Sequence, residues 1–254
     1  MKPYVICHMN ASVDGRILGS RWRPAENRMA GLFERLHDEL GGGSWLIGRV
    51  TGSEYAKAEA YPDSYPDHTG QTYKREPWFA QRSAPSEPKG RDAAEAQGKI
   101  APGIAYGIVL DGQGKIAWGR SDIGGDAIVA VLTERVSDAH LAGLRQDGVS
   151  YIFAGDEALD LGLALEILNR ELGLERLILE GGGGSNGAFL RAGLIDEISL
   201  AICPAIDGAK GAPSIFDSSD QDAGIAAPIR SMILASSEVL EGGVVWLRYR
   251  LQNG

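Results

Sequence analysis

The sequence predicts an α/β fold: a mostly parallel central sheet flanked by helices and closed by an antiparallel hairpin. Three observations carry that reading. Short apolar runs bounded by glycine or charge, such as Trp45–Gly48, Ala127–Thr133 and Leu177–Leu179, have the look of strands buried on both faces. Segments with apolar residues at helical spacing alternate with them, which favours parallel pairing. Near the end, Arg230–Leu240 and Val244–Leu251 are joined at Glu241-Gly-Gly243 and read as a hairpin. No internal repeat or second domain is visible, so residues 1–254 are expected to form one domain.

Taken in order, Tyr4–Met9 reads as the first strand, and Asn10–Gly15 leaves it through turn-forming residues. Pro24 suits a helix start. Met29, Leu32, Phe33, Leu36 and Leu40 then predict a helix over Ala25–Leu40, ended by Gly41-Gly-Gly43. Trp45–Gly48 is a second strand, leading into Arg49–Gly52. From about 57 to 101 the character changes. Six of the eleven prolines fall here or at its edge, interleaved with aromatic and basic residues. A loop of that length inside a compact domain is usually functional or disordered. We read Tyr61–Phe79 as a partly ordered lid and Ser83–Gly98 as a mobile linker.

Regular structure returns with a strand at Tyr106–Asp111, a turn at Gly112–Gly114, and another strand at Ala127–Thr133. A helix follows over Ser137–Asp147 with Ser137 as its N-cap, then a strand at Val149–Phe153. Leu161, Leu165, Leu168 and Leu172 mark one face of a further helix. Ile195–Cys203 alternates as a strand before the closing hairpin.

The bulk properties exclude several classes. A net charge of −9 and a pI near 5.0 argue against a nucleic-acid surface. No apolar run approaches the roughly 18 residues of a membrane span. Cys7 and Cys203 each sit in apolar runs and read as reduced core thiols, which fits a cytoplasmic protein. The four histidines lack metal-ligand spacing, so no metal is expected.

The stretch with the clearest chemistry is Leu177–Leu190. A strand runs into four glycines, Gly181–Gly184, and then into a helix start. Such a turn gathers bare N–H groups at the positive end of a helix, which suits a phosphate. Glycine serves positive φ angles and leaves room for a ligand to approach. The bland reading is a flexible loop between strand and helix. Glu180 counts against it, because a carboxylate at the mouth of an anion site is costly without a role.

Several segments carry a family resemblance: Asn10–Gly15, Ser20-Arg-Trp22, Leu46–Thr51, Val109-Leu-Asp111, Leu179–Gly184 and Ala192–Glu197. In this order they resemble the reductase domain of the bacterial bifunctional riboflavin deaminase-reductase, whose fold is dihydrofolate-reductase-like. The zinc deaminase domain has no counterpart here. The resemblance implies an NADPH-dependent reductase, usually a homodimer, acting on a small molecule; from the charge and hydropathy above, no nucleic-acid or membrane partner is expected. By position, Ala11 and Trp22 would line the cofactor and Thr51 would bind it at a helix start. Gly181, Gly182, Gly183, Gly184, Ser185 and Asn186 would cradle its pyrophosphate. Gly48–Thr51 also looks like the phosphate turn of dihydrofolate reductases, with Arg49 a candidate for the 2′-phosphate and Thr133 and Arg135 weaker ones. Ser20 would touch substrate, and Glu180 or Asp14 would supply the proton. Each has a structural alternative: Asp14 as a turn residue, Trp22 as core, Arg49 as a solvated helix start.

The departures lie on the substrate side. Where the family's helix arginine holds a ribose phosphate, this chain has His37. Tyr55 replaces an acidic residue, and an Asp-Asp-Pro segment is absent. The reading is a reductase delivering hydride to a C=N or C=O group of a small flat or heterocyclic substrate. One alternative is the riboflavin-pathway activity itself, with Lys74, Arg75 or Arg82 taking the phosphate. Another is a nucleotide-binding module without turnover.

Overall fold

The computed structural model describes residues 1–25, 30–62, 71–81, 105–219, 222 and 224–254. One sheet of ten strands runs through them: β1 (Tyr4–Ser12), β2 (Trp45–Gly48), β3 (Tyr106–Leu110), β4 (Asp122–Ile123), β5 (Asp126–Leu132), β6 (Ser150–Phe153), β7 (Arg176–Gly181), β8 (Glu197–Cys203), β9 (Ile229–Val239) and β10 (Val245–Asn253). The order is β4-β5-β3-β2-β7-β1-β8-β10-β9, with β6 also on β5. Pairing is parallel from β6 to β8, while β4, β10 and β9 are antiparallel to their neighbours. Among the described residues five α-helices flank it: α1 (Leu32–Glu39), α2 (Arg49–Ser53), α3 (Asp138–Gln146), α4 (Leu161–Leu172) and α5 (Gly183–Arg191).

The two-residue period of the strands sorts the core. Val5, Cys7, Leu46, Ile108, Val129, Leu177 and Leu179 pack on one face with Leu165 and Leu168 of α4 and Phe189 of α5. On the other face the core is split. Ile6, Ile178 and Ala201 meet Leu32 and Leu36 of α1 and Leu40 just after it, together with Trp22. Ile47, Val109, Ile128 and Ala130 meet Leu141 and Leu144 of α3. Trp45, half-buried, packs against both groups and marks the seam between them. Its indole fits because Gly107 on β3 has no side chain: a Cβ there would lie 2.7 Å from the ring.

Several boundaries differ from the sequence reading. β1 continues through Asn10, Ala11 and Ser12, because these pair with Ala201, Ile202 and Cys203 of β8 and tertiary pairing overrides their turn preference. α1 begins only at Leu32, since Gly31 sits at φ 70°, outside helical space; residues 26–29 of the expected helix lie outside the described residues. The short strand β4 was not anticipated. Ser137 does cap α3, its hydroxyl accepting from the His140 N–H at 3.2 Å.

The lid reading requires correction for the part that is described. Tyr61, Tyr73 and Trp78 dock on the α3–β6 side of the sheet, and none of them lines the cleft between α1 and α2. The Tyr61 hydroxyl donates to Asp147 and accepts from the Trp118 N–H at 3.0 Å. Trp78 exchanges two backbone hydrogen bonds with Tyr151 on the outer edge of β6. Arg145 lies 4.5 Å over the Tyr73 ring and 5.0 Å over that of Trp78. This segment covers a strand edge. Ser83–Gly98 lies outside the described residues.

Candidate active site at the strand carboxyl ends

Strand parity places Glu180. Ile178 on β7 faces α1, so Glu180, two residues on, faces the same side at the end of the strand. There a cleft of about 310 Å³ opens between α1, β2, α2 and the start of β5. Phe33, Trp45 and Tyr55 give it aromatic walls, and Glu34, His37, Asp38, Asp126 and Glu180 give it charge. On α1, Phe33, Glu34, His37 and Asp38 share one stripe at helical spacing, opposite the buried Leu32 and Leu36.

His37 Nδ1 lies 2.7 Å from Glu180 Oε1, and both side chains are largely shielded from solvent. Burial pushes the Glu180 carboxyl up, and His37 pulls it part of the way back. The hydrogen bond to Glu180 raises the His37 imidazole, with desolvation opposing. α1 itself is pinned from below by His8. The buried ring stacks on Phe33 at 4.5 Å, its Nε2 lies 3.2 Å from the Phe33 carbonyl, and its Nδ1 lies 3.1 Å from Ser199 Oγ. Desolvation lowers His8 to about 4, so it stays neutral.

Beside Glu180 the glycine turn begins. Gly182 caps α5 at φ 74°, and a Cβ there would come 3.4 Å from Thr51 Oγ1. A Cβ at Gly184 would meet nothing within 4 Å, so that side of the helix start is open. The other glycines serve packing rather than ligand approach. A Cβ at Gly183 would lie 2.4 Å from the Ser214 carbonyl, and one at Gly187 1.8 Å from that of Asp217. Gly181 and Gly48 allow β7 and β2 to close on each other: a Gly181 Cβ would sit 3.1 Å from the Gly48 nitrogen, and a Gly48 Cβ 2.0 Å from Ser185 Oγ. The starts of α2 and α5 therefore lie side by side. Asn186 is buried, and its amide donates to the Ile215 carbonyl at 3.0 Å, tying the 213–217 loop to α5.

The other expected residues fall around this edge. Arg49 opens α2, exposed, with its charge close enough to act on buried Asp111. That carboxyl is nevertheless raised to about 6, chiefly by burial, while accepting from the Lys115 and Ile116 N–H groups. Ala11 is buried at the end of β1, and Trp22 is packed in the α1 core. Ser20 is exposed in the Gly19–Arg21 turn and does not line the cleft. Thr133 donates to the Gly112 carbonyl at 2.6 Å and Arg135 pairs with Glu157 at 2.6 Å.

Asp14 is not placed to donate a proton. Its carboxylate accepts from Ser12 Oγ at 2.6 Å and from the Asp207 and Gly208 N–H groups at 3.1 and 2.9 Å. These bonds, the Ser12 one first, lower it to about 2 and staple the 207–208 loop to β1. Glu180 is the carboxylate of the two that faces the cleft. Phe33, Glu34, Asp38, Trp45 and Asp126 went unnoticed in the sequence. The α1 stripe and the Trp45/Ile47 parity carried the signal for four of them.

Among the described residues, no helix is long and apolar enough to cross a membrane. The stretch 108–246 matches the model of the RibD C-terminal domain. Two curated proteins, each called 2,5-diamino-6-ribosylamino-4(3H)-pyrimidinone 5′-phosphate reductase, align in part. The Methanothermobacter thermautotrophicus protein is 37% identical over 86 residues, covering 34% of this chain and 39% of its own length. The Aquifex aeolicus protein is 33% identical over 87 residues, covering 34% and 38%. The aligned parts thus span under two fifths of those relatives. A pyrimidine reductase-like protein of Corynebacterium diphtheriae shares the fold with TM-score 0.65 at 16% identity, over 99% of this chain and 93% of the other. Acinetobacter baumannii RibD does so with TM-score 0.56 at 18% identity, over 99% and 58%. The mostly parallel sheet flanked by helices is the dihydrofolate-reductase-like fold that these structures share with it, and with a model match over more than half its length the chain belongs to the RibD C-terminal domain family.

Proposed function

We propose that this protein is a nicotinamide-dependent reductase, with NADPH as donor, that reduces a C=N or C=O bond of a flat amino-heterocycle of the pyrimidinone class. The observation that carries it is the His37–Glu180 pair, which opens on an aromatic-walled cleft one residue before the helix-start glycines. The residues present fit a dinucleotide. The positive φ at Gly182, the open side of Gly184 and the Thr51 hydroxyl leave helix-start N–H groups accessible for a pyrophosphate. Arg49 supplies a cation on the same edge for a 2′-phosphate. When bound, the cofactor supplies a hydride.

The chain's own residues do the rest. Phe33, Trp45 and Tyr55 orient a flat ring, and α1 and α2 limit water around it. As hydride reaches the carbon of the C=N or C=O bond, its nitrogen or oxygen takes a proton. His37 Nδ1 is held 2.7 Å from Glu180, and because the carboxyl raises the imidazole, the pair keeps a proton to give up to higher pH than an ordinary histidine would. The names of the relatives support the substrate class.

The test is spectroscopic: NADPH oxidation with the ribosylamino-pyrimidinone, with and without its 5′-phosphate. Oxidation matched by product amine is expected. Tight NADPH binding with no oxidation by either compound overturns the reading in favour of a nucleotide-binding module without turnover.

We also propose that two copies pair through β9. Met232, Ile233, Leu234 and Val239 on this edge strand are 48%, 52%, 51% and 79% exposed, an apolar edge that isolated chains seldom leave uncovered.

A further inference from the structure

The relatives' substrate carries a phosphate dianion, and the cleft is unsuited to one. Glu34, Asp38, Asp126 and Glu180 all line it against the single imidazole of His37. They are close enough to act on each other: Glu34 and Asp126 both push the Glu180 carboxyl up, and Asp38 and Asp126 both raise His37. Among the described residues, no lysine or arginine lines the cleft. Arg75, one of the cations that could have reached in from the insertion, is spent elsewhere. It pairs with Asp138 at 2.6 Å and donates to the carbonyls of Tyr73, Val136 and Glu134. The walls repeat the message. Phe33, Trp45 and Tyr55 offer faces to a flat ring, and the carboxylates around them offer acceptors to its amino groups. Asp126 is held in place by the Trp45 indole N–H at 2.7 Å, so acid and aromatic wall act as one unit.

We propose that the cleft selects an unphosphorylated, neutral or cationic amino-heterocycle and rejects its 5′-phosphate. This rests on the cleft being the substrate site of the reductase proposed above.

Two measurements separate the two ideas. Calorimetric binding of the ribosylamino-pyrimidinone and of its 5′-phosphate to the NADP⁺-loaded protein tests selection; NADPH oxidation with the same pair tests the reductase. Affinity for the unphosphorylated compound is expected to be higher by at least about tenfold, the factor that one like-charge contact is worth near a protein surface. Added salt should narrow the gap by screening. Glu34→Gln with Asp38→Asn, both at exposed positions of α1, should narrow it too. Equal or tighter binding of the phosphate compound overturns the proposal, as does failure of both compounds to bind. Tighter binding of the unphosphorylated compound without NADPH oxidation leaves selection standing and overturns the reductase.

Discussion

Glu180 and His37 come from strand β7 and helix α1, 143 residues apart, and meet at 2.7 Å inside the cleft. Each raises a question of protonation that the other answers. The carboxyl resists ionisation because it is buried, and the imidazole resists losing its proton because the carboxyl is there.

That relationship predicts a pH profile. His37 titrates above its ordinary 6.5 when Glu180 is present, so kcat/KM should persist to higher pH than an ordinary imidazole allows and fall as pH rises through the raised value. Glu180→Gln removes the main cause of the rise and should move the alkaline limb downward. His37→Ala should lower kcat about a hundredfold, the usual weight of a positioned acid. An unchanged limb in Glu180→Gln would exclude His37 as the proton donor.

Two glycines of one helix should behave in opposite ways. Gly187→Ala drives a Cβ to 1.8 Å from the backbone oxygen of Asp217, and should cost about 1–3 kcal/mol or more in urea unfolding. Gly184→Ala meets open space and should hold or gain up to about 1 kcal/mol from helix propensity. Its NADPH affinity should nevertheless drop, read by fluorescence titration. An unaffected affinity would place the pyrophosphate away from α5.

Arg49 should set the choice between cofactors. Arg49→Ala is expected to weaken NADPH about tenfold, the lower range for a hydrogen bond to a charged group, and to leave NADH unchanged. Equal affinity of the unaltered protein for the two cofactors would remove this role.

Asp14 should matter to acid stability rather than to turnover. Its carboxyl is depressed from 3.8 to about 2 by the bonds that staple the 207–208 loop. Its contribution is complete above the ordinary value and is lost as pH falls through about 2. The unfolding midpoints of Asp14→Asn and the unaltered protein should therefore differ at pH 5 and converge toward pH 2. A constant difference would mean that the charge is not what holds the loop.

Much of this was legible in the chain itself. Apolar runs at Trp45, Ala127 and Leu177 announced the parallel strands because both faces of each are buried. Glu180 stood out because a carboxylate at the mouth of an anion-binding glycine turn is costly without a role. The cleft was harder to see. Asp126 begins a strand 54 residues before Glu180, and only the order β5-β3-β2-β7 brings both to one face. The aromatics of 61–78 misled for the opposite reason. Composition shows that such residues must bury somewhere, but the contacts of Tyr61, Tyr73 and Trp78 on α3 and β6 depend on a strand edge that local sequence does not reveal.

The backbone exchange between Trp78 and Tyr151 occupies the outer edge of β6, and the two-residue β4 leaves little beside it on that flank. At the opposite flank β9 runs for eleven residues, and among the described residues no strand pairs with its outer edge. A sheet with one blocked side and one available side has a single valence. The β9 pairing proposed above would therefore join two chains about a twofold axis and stop there, because the far flanks of the double sheet would be the ones that Trp78 covers.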